Sequence, residues 1–136
     1  MIVHKKARVL LLMSHGTEIK RYNVALGKRP VGAKLRQGDK RTPEGTYVLD
    51  YRNPKSQYYK SIHISYPNQA DKARAKAQGV PPGGDIFIHG LPNGQGWIGA
   101  AHRAYDWTDG CIAVTNEEMD EIWKLVADGT PIEITP

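Results

Sequence analysis

The chain is poor in the features that most directly announce a function. It has one cysteine in 136 residues, so no internal disulfide can form and a cysteine-rich zinc site is excluded. No two of its five histidines stand at the helical i,i+4 spacing of a metal pair, and no carboxylate cluster accompanies them. No metal and no cofactor is therefore expected. Gly94 to Gly99 is glycine-rich but lacks the Lys-Ser/Thr ending and the following helix of a phosphate loop, which argues against nucleotide binding. No apolar run approaches membrane-spanning length; Val9 to Met13 is only strand-sized. Met1-Ile2-Val3-His4-Lys5 has neither the apolar core nor the small-residue cleavage site of a secretory signal. That opening suits either a cytoplasmic chain or a mature one whose leader has gone. Repeats and linkers are also missing, so one domain spanning 1–136 is expected.

What remains is a globular composition, 40% hydrophobic with mixed charge. Lys and Arg number 19 against 14 acidic residues, a formal +5. The excess favours anionic partners without choosing among them. It is spread over Lys5 to Lys40 and Lys72 to Lys76 with no long tract, and no nucleic-acid partner is expected.

Arg8 to Met13 and Glu18 to Val24 flank Ser14-His15-Gly16 and predict a β-hairpin. Gly38 to Gly45 packs turn residues around Pro43 and feeds a strand over Thr46 to Leu49. Further strands are expected in Tyr58 to Tyr66, Asp85 to Ile88, Ile112 to Val114 and Pro131 to Ile134. Asn68 caps a predicted surface helix through Gln78, stopped by Gly79. Thr115, with Glu118 three residues on, forms a capping box for a second helix reaching about Asp128; Asn116 is the alternative cap. There Met119, Ile122, Trp123 and Val126 recur at helical spacing and should face the core. The expected fold is mainly β, a sandwich or barrel with two helices.

The chemistry concentrates between Ile86 and Asn116. A cysteine taken alone is most often a small buried hydrophobe. Cys111, however, follows Gly110 in a polar turn, Thr108-Asp109-Gly110-Cys111, and a strand-end pair, His89-Gly90, precedes it. Cysteine attack on a carbonyl needs a base to generate the thiolate and donors for the oxyanion. His89 could serve as base, and backbone N–H groups near Gly110 and Cys111 as donors. His102 is a rival base in a predicted loop. His63, between two isoleucines, could line a cleft or face water. Trp97 and Trp107 could stack on a sugar or a base, or simply pack.

Ile88-His89-Gly90 followed by Thr108-Asp109-Gly110-Cys111-Ile112, with Gly38 to Tyr47 as a second hallmark upstream, resembles the L,D-transpeptidase catalytic (YkuD-type) domain. The likeness runs from Val3 to Ile134. It is nearest the YafK-like branch, in Asp106-Trp107-Thr108 and in Thr115-Asn116-Glu117-Glu118. The resemblance implies a β-sandwich-like fold and a periplasmic or cell-envelope enzyme acting on peptidoglycan stem peptides. It makes Cys111 the nucleophile, His89 its base, and the Gly90 carbonyl the group that orients the imidazole. Cys111 would attack the L-to-D amide at meso-diaminopimelate and pass the acyl group to an amine, or to water. A carboxypeptidase, an amidase releasing a murein-attached protein, and a noncatalytic murein-binding module are the alternatives. Two positions depart from many family members: Asp109 replaces a histidine and Ala113 an arginine. Another cation must then meet a substrate carboxylate, with Arg103, Lys34 and Arg41 as candidates; Trp107, Thr108, Asp109 and His63 are further candidate substrate contacts.

Overall fold

The computed structural model describes all 136 residues. Its strands are β1 (Ile2–His4), β2 (Val9–Ser14), β3 (Thr17–Asn23), β4 (Gly45–Ser56), β5 (Tyr59–Ile64), β6 (Phe87–His89), β7 (Ile112–Ala113) and β8 (Pro131–Thr135). Two α-helices, α1 (Gln69–Ala77) and α2 (Asn116–Leu125), and a 3-10 helix, Gly96–Ala104, complete it.

The sheet is organised around β4. Its first half pairs with β8 and its second with β5, so one strand serves two layers in the order β3-β2-β1-β8-β4-β5-β6-β7. Two register irregularities against β5, between Leu49 and Arg52 and between Asn53 and Ser56, accompany that passage; such irregularities bend a strand. They let it continue through Pro54, well beyond the short strand expected from Thr46 to Leu49. Val3, Leu10 and Ile132 of one layer share a buried cluster with Ile62, Ile88 and Ile112 of the other. Just past β3, Ala25 exchanges two backbone hydrogen bonds with Ala113 of β7, at 3.1 and 2.9 Å. The sheet has curled until its two ends meet.

Strand β1 was too short to leave a pattern in the sequence; it is held antiparallel to β2 and parallel to β8. Thr115 is the cap of α2, accepting from the Glu118 N–H while Glu118 accepts from the Thr115 N–H. The helix stops at Leu125, short of Asp128, because Val126 is already extended. Met119, Ile122 and Val126 are buried, whereas Trp123 is only half-buried, with the Arg52 guanidinium 4.7 Å from its ring centre. The stretch expected as a loop around His102 is instead the 3-10 helix, kinked at Gly99 (φ 56°, ψ −141°). No helix is long and apolar enough to cross a membrane.

Three loops cross at glycines beneath the end of β7. A Cβ on Gly27 would collide with the Lys40 carbonyl oxygen and stand 3.1 Å from the Gly110 Cα. One on Gly110 (φ 137°) would lie 2.8 Å from the Arg41 carbonyl oxygen. Gly27→Ala should therefore cost about 1–3 kcal/mol or more through backbone displacement. Gly84→Ala, where a Cβ meets nothing, is the control. Urea unfolding of both checks this: a lower midpoint at unchanged slope is expected for Gly27→Ala only.

Candidate active site

Strand alternation sorts β6 into an inner residue, Ile88, fully buried in the core, and two residues on the other face, Phe87 and His89. Strand β7 runs parallel to it with Ile112 opposite Ile88 and Ala113 opposite His89. This register sets Cys111, one residue earlier, beside Phe87. The Phe87 N–H donates to Sγ at 3.4 Å, and the thiol lies 3.4 Å from the Asp85 carbonyl oxygen, to which it donates. His89 sits two residues further along the same face. Cys111 and His89 line one cavity of about 540 Å³ with Lys28, Lys34, Lys40, Tyr58, Trp107 and Asp109 among its walls.

Nδ1 of His89 is 2.7 Å from the Gly90 carbonyl oxygen. A carbonyl only accepts, so that nitrogen carries the proton and Nε2 of the neutral ring is the free base. Tyr58 stacks on the ring at 4.4 Å, and Trp107 lies 5.7 Å away at a tilt. Burial lowers the His89 pKa to about 4 and raises that of Cys111 to about 11. For the thiol, the Asp109 and Asp85 charges push the same way, while the Phe87 N–H and the Lys34 ammonium oppose them. The resting pair is therefore a neutral thiol and a neutral imidazole.

The turn leading to Cys111 is stapled by one hydroxyl. Thr108 Oγ1 donates to the Cys111 carbonyl at 2.7 Å and accepts the Gly110 N–H at 3.1 Å. The Gly110 N–H is thus engaged, correcting the expectation that it serves as an oxyanion donor; the Cys111 N–H has no such partner. Asp109 faces outward, 76% exposed, with its carboxylate on Lys40 at 3.1 Å and Lys28 at 3.4 Å. Those two ammonium groups, Lys40 first, hold its pKa below the usual carboxylate range. Lys34 is buried against Asp39 at 2.9 Å, and Asp39 also accepts the Leu35, Arg36 and Arg41 N–H groups. One aspartate thereby shapes the whole loop that walls the cavity.

Three expected substrate contacts lie elsewhere. Arg103 turns to Glu118 at 3.6 Å and borders another hollow beside Arg8 and Asp106. The Arg41 side chain runs over Gly32 and flanks a hollow with Arg36 and Arg74. His63 bonds to Asp50 at 2.7 Å and stacks on Tyr51, outside the cavity. His102, the rival base, accepts from the Trp107 indole N–H at 3.1 Å and also lies off the cavity wall. Ala113 is fully buried in the closing pair with Ala25, where an arginine side chain has no room. The sequence reading missed Lys28, Lys40, Tyr58 and Asp85. For Lys28 and Lys40 a signal existed in the glycines and turn residues beside them, which mark close backbone crossings.

Comparison with known proteins gives a consistent answer. The family model described as the L,D-transpeptidase catalytic domain matches residues 1–134. YafK of Escherichia coli (strain K12), named as a candidate L,D-transpeptidase, is 33% identical over 108 residues, 77% of this chain and 36% of its own. The helical cell shape determining protein Pgp2 of Campylobacter jejuni superposes with a TM-score of 0.76 at 28% identity, over 98% of this chain and 45% of its own. Bd1075 of Bdellovibrio bacteriovorus gives 0.67 at 25% identity, over 98% and 46%. The chain spans about a third of the curated relative's length and less than half of either solved structure.

A half-buried thiol whose charged form is disfavoured in this way should ionise late. Alkylation of Cys111 by iodoacetamide is expected to keep accelerating above about pH 10, where an exposed cysteine with a pKa of about 8.5 has levelled off. Asp109→Asn removes a negative charge and should move the midpoint down. A plateau reached by about pH 10 in the unmodified protein would contradict the assignment.

Proposed function

The chain belongs to the L,D-transpeptidase catalytic-domain family, and on that premise we propose that it is a cysteine acyl-transfer enzyme acting on peptidoglycan stem peptides in the cell envelope. The observation that carries this reading is the sharing of one cavity by the only thiol and an imidazole whose Nδ1 is fixed on Gly90. As Sγ of Cys111 attacks the amide carbonyl between meso-diaminopimelate and the terminal D-alanine, Nε2 of His89 takes the thiol proton. With resting pKa values near 11 and 4, proton transfer and attack have to proceed together. The Cys111 N–H meets the developing oxyanion. Collapse of the tetrahedral intermediate breaks the C–N bond. The imidazolium returns its proton to the departing amine, D-alanine leaves, and a thioester remains on Cys111.

An incoming amine then gives a cross-link and water gives the shortened peptide. The hydrolytic reading, as carboxypeptidase or as amidase on a murein-attached protein, is favoured by the polar lining of the cavity, with three lysines and Asp85 about the thiol. A substrate carboxylate would be received by Lys28 and Lys40, in place of the arginine that Ala113 replaces. In the free protein Asp109 occupies those two cations.

Tetrapeptide muropeptide, with and without an amine acceptor, separates the outcomes by product mass. Tripeptide dominating under abundant acceptor identifies a hydrolase. Cys111→Ala should abolish turnover, and His89→Ala should lower kcat by roughly 10²–10⁴. No turnover in the unmodified protein, with muropeptide binding equal in Cys111→Ala, would leave only a binding module. The double variant Lys28→Ala, Lys40→Ala should raise KM about tenfold with kcat little altered. A loss confined to kcat would remove the two lysines from substrate binding.

A further inference from the structure

Lys28, Lys40 and Asp109 form a triad on the wall of the Cys111 cavity. Both ammonium groups donate to the same carboxylate oxygen: Lys40 Nζ lies 3.1 Å and Lys28 Nζ 3.4 Å from Oδ1. Oδ2 accepts no hydrogen bond from the protein, and neither ammonium has a second acceptor. An ammonium carries three donors, so the triad keeps spare hydrogens on two cations and a spare oxygen on one anion.

Backbone contacts set its geometry. The Lys28 N–H donates to the Thr108 carbonyl at 2.9 Å, the Arg29 N–H to the Lys40 carbonyl at 3.0 Å, and the Gly110 N–H to Thr108 Oγ1 at 3.1 Å. The three residues are thus held together whether or not their charges touch. All three side chains reach solvent, where ion pairs are individually weak. The lysines can therefore turn spare hydrogens to a guest without disturbing the fold.

The mixed signs restrict that guest. A phosphate or a lone carboxylate meets the lysines but also faces Asp109, and a lone ammonium faces two like charges. A group that carries ammonium and carboxylate on one carbon, roughly 3 Å apart, matches both signs at once. Reach agrees with the same guest. Asp109 and Cys111 are two residues apart, so their Cα atoms are separated by at most about 7 Å. In diaminopimelate, five bonds, roughly 6 Å when extended, lead from the carbonyl carbon that Cys111 attacks to the far α-carbon.

We infer that the triad is a specificity site for the free amino-acid end of the diaminopimelate side chain, its carboxylate on Lys28 and Lys40 and its ammonium on Oδ2 of Asp109. The identity of the guest rests on the peptidoglycan reading. Asp109 then selects stems whose far amine is still free, because acylation of that amine in a cross-link removes the ammonium.

Three tetrapeptides that differ only at the third residue test this by isothermal titration of the Cys111→Ala protein. One carries meso-diaminopimelate. One carries lysine, which keeps the ammonium and lacks the carboxylate, and one carries 2-aminopimelate, which does the reverse. The diaminopimelate peptide should bind about tenfold more tightly than either. Adding Asp109→Asn should erase its advantage over 2-aminopimelate and leave that over lysine; adding Lys28→Ala, Lys40→Ala should do the opposite. A uniform loss for all three peptides in Asp109→Asn is what a merely structural aspartate gives, and it overturns the inference. Equal binding of the diaminopimelate and lysine peptides puts the two lysines on the D-alanine carboxylate common to all three, and overturns it too. So does a preference for the ammonium that survives Asp109→Asn, which assigns it to another carboxylate such as Asp85, and so does no binding of any peptide. Cleavage of the diaminopimelate peptide by the unmodified protein is a separate readout, by product mass. Cleavage without discrimination refutes the triad alone, and discrimination without cleavage refutes the acyl-transfer reading alone.

Discussion

The site depends on a place where three backbones touch with no side chain between them. Gly27, the Lys40–Arg41 carbonyls and Gly110 are close enough that a methyl group on either glycine would force the segments apart. Hydrogen bonds lock the crossing: Gly27 N–H to Thr42 Oγ1, Lys28 N–H to the Thr108 carbonyl at 2.9 Å, and Arg29 N–H to the Lys40 carbonyl at 3.0 Å. Lys28, Asp109 and Cys111, which flank the two glycines, then converge with Lys40 on one cavity. From the other side, Lys5, 2% exposed, holds the same loops with Nζ on the Gly32 and Thr42 carbonyls and on Glu44. A buried ammonium with three acceptors is compensated well enough to stay charged, although burial lowers its pKa.

The electrostatics follow from that convergence. Carboxylates near a thiol oppose ionisation, and the lysines that meet Asp109 mute its effect without cancelling the burial of Cys111. The imidazole, packed against both Tyr58 and Trp107, is held in its neutral form by burial. Chemistry that starts from two uncharged partners gains little from charge and much from placement. That accounts for the aromatic packing and the stapled turn around a pair whose atoms are otherwise ordinary.

Much of this was legible in the sequence, for identifiable reasons. The strand-end His89-Gly90 pair, the capping box at Thr115 and the constrained turn around Pro43 each have local rules, and each stands where those rules put it. The mainly β fold and the two α-helices were legible in the same way. Side-chain destinations were not. Arg103 and Arg41 carry the right charge, but each points away from the cavity, at Glu118 and over Gly32 respectively. His63 alternates correctly on β5 and is then claimed by Asp50. The 3-10 helix hid because glycine-rich sequence suppresses helical propensity, and β1 because three residues carry no period. Lys28 and Lys40 stand 12 residues apart in the chain and are joined only through Asp109, a pairing no local window contains.

The meeting of Ala25 with Ala113 has a consequence for anything threaded past Cys111. Strand β7 is bonded to β6 along one side and to Ala25 along the other, so neither flank offers free amides or carbonyls. An extended polymer therefore cannot dock by strand addition, the commonest way for a sheet protein to grip a peptide without regard to its side chains. Grip has to come from loops and from functional groups on the guest.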